Sequence, residues 1–347
     1  MGALHIHNGE AAARAAIAAA CPGFRAHGHA ARTETSLLIP GLLHSRAVIA
    51  KCPIDRRPFW LARARHEITV YRALPTLAPL PVSMSELVAA ESTHHLLVIT
   101  DLAGPPVHPH RYPRATIPPG QLTAVLDLLA RLHAWRPAVP SALPSDEDFP
   151  RQLAAVRGSD ITDVDYHHAV ELSTAIAPRL DLEIQHGDPH LGNVIHLPHH
   201  QLALIDLEFT AWRRPGYDLA KLWILLGDAP SARTQLLTRI GASPERHAAF
   251  WCAVLLVCLR EITSQRRAPP TATRYGLLPR LRRDLALTLE HVHACHRRTT
   301  GPQTHPQPLS GTRDAPSAPP DQRLLRLRPR HPCRPDLHRS LPRPSPR

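Results

Sequence analysis

The stretch "QHGDPHLGNVIH", Gln185 to His196, places an Asp and an Asn five residues apart in a loop that Gly and Pro punctuate. Such a pair could hold a metal ion, abstract a proton or cap a turn. Two short apolar runs follow, "NVIHL" and "LALIDL", and the second carries Asp206. Phosphoryl transfer needs one Asp to orient a hydroxyl group and further hard oxygen ligands to bind Mg²⁺. Asp188, Asn193 and Asp206 meet these requirements, so the stretch predicts a phosphoryl-transfer site.

Around this stretch the chain divides into two compositional regimes. Residues 24–101 hold β-like runs such as "TSLLIPG", "RAVIAKCP" and "HHLLVITDL", with one helical stretch, "FWLARARHEITVYRALPTL", between them. After a Pro-rich connection the pattern is mainly helical, as in "QLTAVLDLLARLHAW" and "PERHAAFWCAVLLVCLREIT". The pattern predicts an α+β protein with a β-rich lobe over 1–101, a linker over 102–120, a helical lobe over 121–298 and a tail over 299–347.

The basic charge is concentrated at the C-terminal end. The formal net charge is +12, and residues 301–347 carry nine Arg against three Asp, together with twelve Pro. A segment of this composition cannot bury enough apolar surface to offset the entropy of ordering, so we predict a disordered tail. No aromatic residue follows Tyr275. Because base stacking needs aromatic side chains, no specific nucleic-acid partner is expected.

Cysteine usage and hydropathy bear on the compartment. The six Cys residues form no CxxC pair, which is typical of a cytosolic protein with free thiols. The N-terminal run "AAARAAIAAAC" is interrupted by Arg14, so it predicts an amphipathic helix and not a signal peptide. The apolar run "WCAVLLVCL" is too short to span a bilayer. We therefore expect a cytoplasmic protein without a membrane anchor.

Two charged residues of the β-rich region are further candidates. The chain has only two Lys, Lys51 and Lys221, and Lys51 closes the apolar run "AVIAK". An ammonium group is a compact charge that can approach phosphate oxygens, whereas the guanidinium group of Arg imposes a fork. Glu67, in the helical stretch that follows, could pair with Lys51. Taken alone, each of the two residues could equally be solvated.

These motifs together resemble a known family. "HGDPHLGN" is similar to the catalytic loop of the aminoglycoside phosphotransferase and choline kinase-like family, which is related to protein kinases. "LALIDLE" resembles its metal-binding strand, "AVIAK" its nucleotide-lysine strand and "LLVITDLAG" its hinge, and "LARLHA" and "GYDLAKLW" follow in the family's order. The resemblance covers about 24–296 and implies a two-lobed protein kinase-like fold that uses ATP and Mg²⁺.

The resemblance also implies roles for single residues. Asp188 would orient and deprotonate a hydroxyl group of a small-molecule acceptor, and Asn193 and Asp206 would hold Mg²⁺. Lys51 would contact the phosphates with Glu67 as its ion-pair partner. The remaining members of the predicted site are the structural supports His186 and Asp218 and the adenine-contacting hinge residues Ile99, Thr100, Asp101 and Leu102.

Departures from the family pattern leave the acceptor open. The segment that would cover the nucleotide has a single Gly, Gly28, and "DFG" and "APE" motifs are absent, so protein substrates are not expected. Between 141 and 185 nine acidic residues stand against three Arg. An acidic wall would attract an amino-containing acceptor such as an aminoglycoside, although a solvated helix face would look the same. Choline, ethanolamine, homoserine, a macrolide or a sugar remain alternatives, as does a non-catalytic nucleotide-binding protein.

Overall fold

In the computed structural model, which describes residues 2–113, 117–267 and 272–300, the N-terminal part forms an antiparallel sheet. Strands β3 (Ser36–Leu43) and β4 (Arg46–Pro53) are its longest, and their alternating burial explains the short period of the apolar pattern. The other N-terminal strands are β1 (Arg25–Ala26), β2 (Ala31–Arg32), β5 (Ser83–Met84), β6 (Leu87–Glu91) and β7 (Leu96–Thr100). The strand order in the sheet is β1-β3-β4-β7-β6, with β2 paired to β3.

Two helices accompany this sheet, α1 (Gly2–Ala20) and α2 (Pro58–Ala73). The second begins with Pro in its first turn, where the missing N–H costs nothing. It buries Ile68, Val70 and Tyr71, and also Glu67, a charged residue that is only 2% exposed. A buried carboxylate needs a partner, so this face of α2 points to the site described below.

The C-terminal part is mainly helical. Its helices are α3 (Pro119–Ala134), α4 (Phe149–Val156), α5 (Asp163–Ile176), α6 (Tyr217–Leu225), α7 (Pro230–Arg239), α8 (Pro244–Arg267) and α9 (Ala272–Thr300). Four short strands lie among them: β8 (Glu183–Gln185), β9 (Val194–His196), β10 (Leu202–Leu204) and β11 (Ala211–Arg213). Strands β9 and β10 form an antiparallel hairpin, and β8 pairs with β11.

Helix α8 is the centre of the C-terminal core. It is long and apolar enough to cross a membrane, but 78% of its most apolar window is buried within the protein. Fourteen of its residues are buried, among them the polar residue Glu261. The helix therefore packs as a core element.

The α+β class predicted from the sequence is confirmed. Three details differ from the expectation. Strand β5 pairs in parallel with β10, so the chain before 101 also contributes to the sheet of the C-terminal part. Helices α4 and α7 and the β8–β11 pair were not predicted, because short amphipathic segments carry weak periodicity. The predicted tail begins within the last two residues of α9, and from 301 onward it lies outside the described residues.

Candidate active site

The loop that carries Asp188 is held by a buried carboxylate, Asp218, at the start of α6. Its two oxygens accept hydrogen bonds from the backbone N–H groups of His186, at 2.8 Å, and Gly187, at 2.7 Å. His133 Nε2 lies 2.9 Å from Asp218 Oδ2, and the Asp218 N–H donates to Gln185 Oε1. Burial would raise the pKa of Asp218, but these partners outweigh it and the pKa is lowered. The loop geometry is thus fixed by a fully enclosed anion.

His186 joins the same loop to the hairpin. Its Nε2 lies 2.9 Å from the carbonyl oxygen of Ile205, while its Nδ1 accepts the N–H of Asp188 at 3.3 Å. An imidazole that donates at Nε2 and accepts at Nδ1 is neutral. The Thr210 hydroxyl donates to the carbonyl of His186. Both predicted supports, His186 and Asp218, therefore contact the loop backbone.

The hairpin brings Asn193 and Asp206 face to face. Asn193 Nδ2 donates to the backbone carbonyl of Asp188 at 3.0 Å and lies 3.4 Å from Asp206 Oδ2. The sequence suggested that Asp206 ends a strand, but β10 ends at Leu204, and Asp206 has a left-handed φ of 65°. This conformation is uncommon for a residue other than Gly. It occurs here at the point where the chain turns its carboxylate toward Asn193.

Lys51 lies among three carboxylates, and we call these four residues the Lys51 cluster. Lys51 Nζ is 2.5 Å from Asp206 Oδ1, 2.8 Å from Glu67 Oε2 and 3.4 Å from Glu208 Oε2. Burial would lower the pKa of Lys51, but the carboxylates outweigh it and raise the pKa well above its ordinary value. Burial, together with the neighbouring charge of Asp206, raises the pKa of Glu208 to about 8. The cluster has more negative than positive charge.

The Lys51 cluster is suited to a divalent cation. The ligand oxygens of Glu67, Asp206 and Glu208 lie within 4.8 Å of one another. Within the part of the chain that the structure describes, Glu67 Oε1 is buried and has no hydrogen-bond partner. Carboxylate and amide oxygens are the ligands that Mg²⁺ prefers, and a single ammonium leaves this set undercompensated. The donor set therefore fits Mg²⁺, with Glu208 as a member that the motif "IDLE" contains but that was not singled out from the sequence.

Asp188, by contrast, is surrounded by cations. Arg111 Nη1 lies 2.9 Å from Asp188 Oδ2, and Lys221 Nζ lies 3.4 Å from Oδ1. Burial would raise the pKa of Asp188, but Arg111 and Lys221 outweigh it and hold the pKa well below its usual range. Burial lowers the pKa of His190 to about 4, which leaves its ring neutral near pH 7. Asp188 is therefore an ionised carboxylate.

The cations beside Asp188 share a second, buried carboxylate, Glu261 of α8. Glu261 Oε1 lies 3.0 Å from Arg111 Nη2 and 2.7 Å from Lys221 Nζ, and the Tyr112 hydroxyl also donates to Glu261. Asp188, Arg111, Lys221 and Glu261 are called the Asp188 cluster. Arg111, Lys221 and Glu261 were not predicted as site residues. One signal was available, because Lys221 is one of only two Lys in the chain.

Arg111 reaches Asp188 because the predicted linker is fastened to the hairpin. The N–H of Val107 donates to Val194 O, and the N–H of His108 donates to Leu191 O. A Cβ atom at Gly104 would lie 1.8 Å from the carbonyl oxygen of His196, so only Gly fits here. Residues 104–111, which we call the strap, are thus held against the hairpin from its first residue onward.

The predicted adenine-contacting residues lie at the end of β7. Ile99 and Thr100 are buried, and the Thr100 N–H donates to Glu86 O while the Asp101 N–H donates to Ala47 O. These two donors are therefore already used within the sheet. An adenine contact from this segment would have to use carbonyl oxygens or the N–H of Leu102.

The acidic residues between 141 and 185 do not form an unpaired wall. Six of their nine carboxylates lie within 4.0 Å of an Arg or His nitrogen: Asp146, Asp160, Asp163, Asp165, Glu171 and Glu183. Asp148 caps α4 by accepting the N–H of Arg151. Four of the nine carboxylates thus face an Arg guanidinium and two face a His ring, so less of the negative charge counted in this segment is unpaired than the sequence suggested.

Comparison with known proteins gives a family and a fold. A family model described as the phosphotransferase enzyme family matches residues 46–250, more than half of the chain. No curated protein sequence matches the chain. Among solved structures, the choline/ethanolamine kinase family protein from Mesorhizobium loti is similar, with a TM-score of 0.58 and 16% identity over 83% of this chain and 99% of that one.

Two further structures show the same likeness. Choline kinase LicA from Streptococcus pneumoniae has a TM-score of 0.51 and 12% identity, over 81% of this chain and 99% of that one. Aminoglycoside phosphotransferase APH(2'')-Ib, solved with ADP bound, has a TM-score of 0.50 and 13% identity, over 80% of this chain and 99% of that one. Identities this low show the fold alone. The predicted two-lobed kinase-like fold is confirmed.

Proposed function

Because the chain belongs to the phosphotransferase enzyme family, we propose that it transfers the γ-phosphoryl group of ATP to a hydroxyl group of a small acceptor. One observation supports this proposal above the others. Asp188, Asn193 and Asp206 converge on one side of the β9–β10 hairpin, and Lys51 Nζ lies 2.5 Å from Asp206 Oδ1. This arrangement supports the proposal, because phosphoryl transfer requires a proton acceptor close to a set of hard oxygen ligands.

Asp188 is the group that accepts the proton of the acceptor hydroxyl. Its pKa is held low by neighbouring cations, so it is ionised at neutral pH and ready to accept a hydrogen bond. Phosphoryl transfer has a loose transition state, in which positioning and charge neutralisation supply most of the catalysis. Asp218 and His186 serve this step by fixing the backbone N–H groups of residues 186–188.

Lys51 binds the phosphates of the nucleotide, and Glu67, at 2.8 Å, orients it. Asn193 and Asp206, with Glu208 beside them, would hold Mg²⁺, which when bound neutralises charge on the phosphates. The end of β7, Ile99 to Leu102, receives the adenine ring.

The acceptor and the compartment complete the proposal. An amino-containing acceptor such as an aminoglycoside is the candidate suggested by the acidic segment, but the pairing of six of those carboxylates removes much of that argument. Choline, ethanolamine, homoserine, macrolides and sugars remain in the panel to be tested. The five described Cys residues are buried free thiols. Free thiols are typical of a reducing compartment, and we place the activity in the cytoplasm.

The test is Mg²⁺-dependent consumption of ATP and GTP by the purified chain, with and without each acceptor class. We expect acceptor-stimulated turnover that Asp188→Asn lowers by about 10²–10⁴-fold, while the affinity for the nucleotide changes less than about threefold. The matched control is Asp163→Asn, an exposed aspartate at the start of α5, which should retain full turnover.

The outcomes separate an enzyme from a binding protein. Nucleotide binding without turnover for any acceptor would support the non-catalytic alternative. A variant Asp188→Asn with unchanged turnover would contradict the assignment of the proton acceptor, and failure to bind either nucleotide would contradict the whole proposal.

A further inference from the structure

The most exposed charge in the Asp188 cluster is positive. The side chain of Arg111 is 35% exposed, whereas those of Asp188 and Glu261 are 11% and 6% exposed. Lys221, the other cation, is 10% exposed. The side chain of Arg111 is therefore the most accessible charged side chain of the cluster for an acceptor that approaches from solvent.

The two carboxylates of this cluster already have cationic partners. Asp188 contacts Arg111 and Lys221, and Glu261 contacts the same two cations and the Tyr112 hydroxyl. A cationic acceptor would thus find no uncompensated carboxylate in the cluster, and it would have to approach an exposed cation. Recognition of an ammonium group requires the opposite arrangement, because like charges brought together without screening repel.

The Asp188 oxygen that an acceptor hydroxyl group would take is Oδ1. Among the described residues Oδ1 is buried and has no hydrogen-bond partner, whereas Oδ2 accepts from Arg111 Nη1. A hydroxyl group on Oδ1 would lie beside Arg111, which keeps its two anionic partners and has further N–H donors. A carboxylate or phosphate group on the acceptor, next to the reacting hydroxyl, would accept hydrogen bonds from these donors, since the fork of a guanidinium matches such oxyanions.

We propose that Arg111 is a specificity-determining residue that binds an anionic group of the acceptor, so that the enzyme phosphorylates a hydroxyl group of an acid or of a phosphate ester. The inference rests on the proposed function and deepens it. It assigns the strap, which is fastened to the hairpin between Gly104 and His108, the task of presenting this residue. Carboxylate and phosphate acceptors share the chemistry that Arg111 recognises.

The experiment uses four acceptors built on one carbon skeleton: glycerate, glycerol 3-phosphate, neutral glycerol and cationic 3-amino-1,2-propanediol. Turnover is measured with Mg²⁺ and ATP, and binding is measured by calorimetry in the presence of Mg²⁺ and a non-hydrolysable ATP analogue. Wild-type protein should favour at least one of the two anionic compounds over glycerol by tenfold or more in kcat/KM or in Kd. The amino compound should rank last. The arms with glycerate and glycerol 3-phosphate distinguish a carboxylate from a phosphate ester.

Variants locate the preference at Arg111. Because Arg111 also contacts Asp188, Arg111→Gln should lower kcat with every acceptor, so the readout is the preference between acceptors. The ratio of KM or Kd for the preferred anionic compound to that for glycerol should rise by about 10–100-fold, with Kd for the ATP analogue changed less than threefold. Arg111→Lys keeps the positive charge but loses the fork of the guanidinium. Its KM or Kd for the preferred anionic compound should therefore lie between those of wild type and Arg111→Gln. The matched control is Arg239→Gln, since Arg239 is also 35% exposed and also pairs with a carboxylate, that of Asp127, and it should behave as wild type.

Several results would overturn the inference. They are a preference for the cationic compound, equal or undetectable binding of all four compounds, or an anionic preference that survives in Arg111→Gln. The proposed function fails separately, because it requires binding of Mg²⁺ and ATP and turnover of some hydroxylated acceptor. A protein that binds ATP and phosphorylates amino alcohols would refute the assignment of Arg111 and leave the kinase intact.

Discussion

The Lys51 cluster and the Asp188 cluster both bring basic side chains together with buried or partly buried carboxylates, but they differ in charge balance. In the first, one ammonium faces the carboxylates of Glu67, Asp206 and Glu208. In the second, the carboxylates of Asp188 and Glu261 face two cations.

The difference shows in the pKa values. The pKa of Glu208 is raised to about 8, whereas the pKa values of Asp188 and Glu261 are lowered because nearby cations outweigh burial. A cluster with surplus negative charge is suited to bind a cation such as Mg²⁺. In the balanced cluster, the partly exposed side chain of Arg111 is suited to bind an anion.

Replacing the buried carboxylate of the balanced cluster should have the largest effect on stability. Glu261→Gln would leave Arg111 and Lys221 with Asp188 as their one anionic partner in the cluster. Removing one member of a buried ion pair is strongly destabilising, because the remaining charge stays desolvated. We expect the free energy of unfolding to fall by about 2–4 kcal/mol, measured by urea denaturation at pH 7.

The control for this variant is Glu171→Gln, an exposed glutamate of α5 that contacts His296. It should change the free energy of unfolding by less than about 0.5 kcal/mol, as surface pairs usually do. An unchanged urea midpoint for Glu261→Gln would mean that the Asp188 cluster is not balanced in the way described.

The surplus negative charge of the Lys51 cluster should make the free energy of unfolding depend on pH. The expected change is smaller than that for Glu261→Gln. An unfolded glutamate loses its proton near its ordinary pKa of 4.5, whereas native Glu208 keeps it up to about 8. The native state therefore binds more protons between these values, and its stability must fall as the pH rises through them. Without divalent cations, a shift from 4.5 to about 8 corresponds to a loss of at most about 5 kcal/mol over this range. We expect a smaller loss, about 1–2 kcal/mol, because Glu67, Asp206 and Glu208 share the ammonium of Lys51 and readjust as Glu208 loses its proton.

Two additions sharpen this measurement. Glu208→Gln should flatten the dependence, and Mg²⁺ should do the same in wild type, because either one removes the surplus negative charge. Glu171→Gln should keep the wild-type slope. A slope of the same size in Glu208→Gln would assign the dependence to another group.

The smallest expected change in the free energy of unfolding comes from Glu67→Gln, which resembles Glu261→Gln in chemistry. Glu67→Gln also removes a buried carboxylate next to a cation, but Lys51 keeps Asp206 and Glu208 as partners. Without metal we expect a change in the free energy of unfolding within about 1 kcal/mol, and toward greater stability, since a desolvated surplus charge is lost. A destabilisation as large as that of Glu261→Gln would contradict the contrast between the two clusters.

The sequence predicted much of the first cluster and little of the second. Lys51, Asn193 and Asp206 stand in motifs that resemble those of a known family, and short motifs preserve spacing within a strand or a hairpin. Glu67 was expected as the ion-pair partner of Lys51. The left-handed φ of Asp206 was not foreseen, because a backbone turn between two apolar residues leaves no trace in composition.

Arg111 and Glu261 carry no comparable signal. They lie 150 positions apart in the sequence, one in a Pro-rich segment and the other within the apolar pattern of α8. Only the folded chain shows that they pair. The expected acidic wall between 141 and 185 was weakened for a related reason. A count of carboxylates does not reveal which of them already have partners, as Asp146 has Arg213.

The position of Arg111 also has a consequence for evolution. Apart from Gly104, which ends "LLVITDLAG", the strap contains none of the motif or predicted site residues. Those residues lie on β4, on α2, at the end of β7, on α3, on the hairpin and its flanking loops, and on α6. A substitution at Arg111 can therefore change which acceptor is admitted while every motif stays intact. Two descendants of one ancestor can share all of these motifs and phosphorylate acceptors of opposite charge.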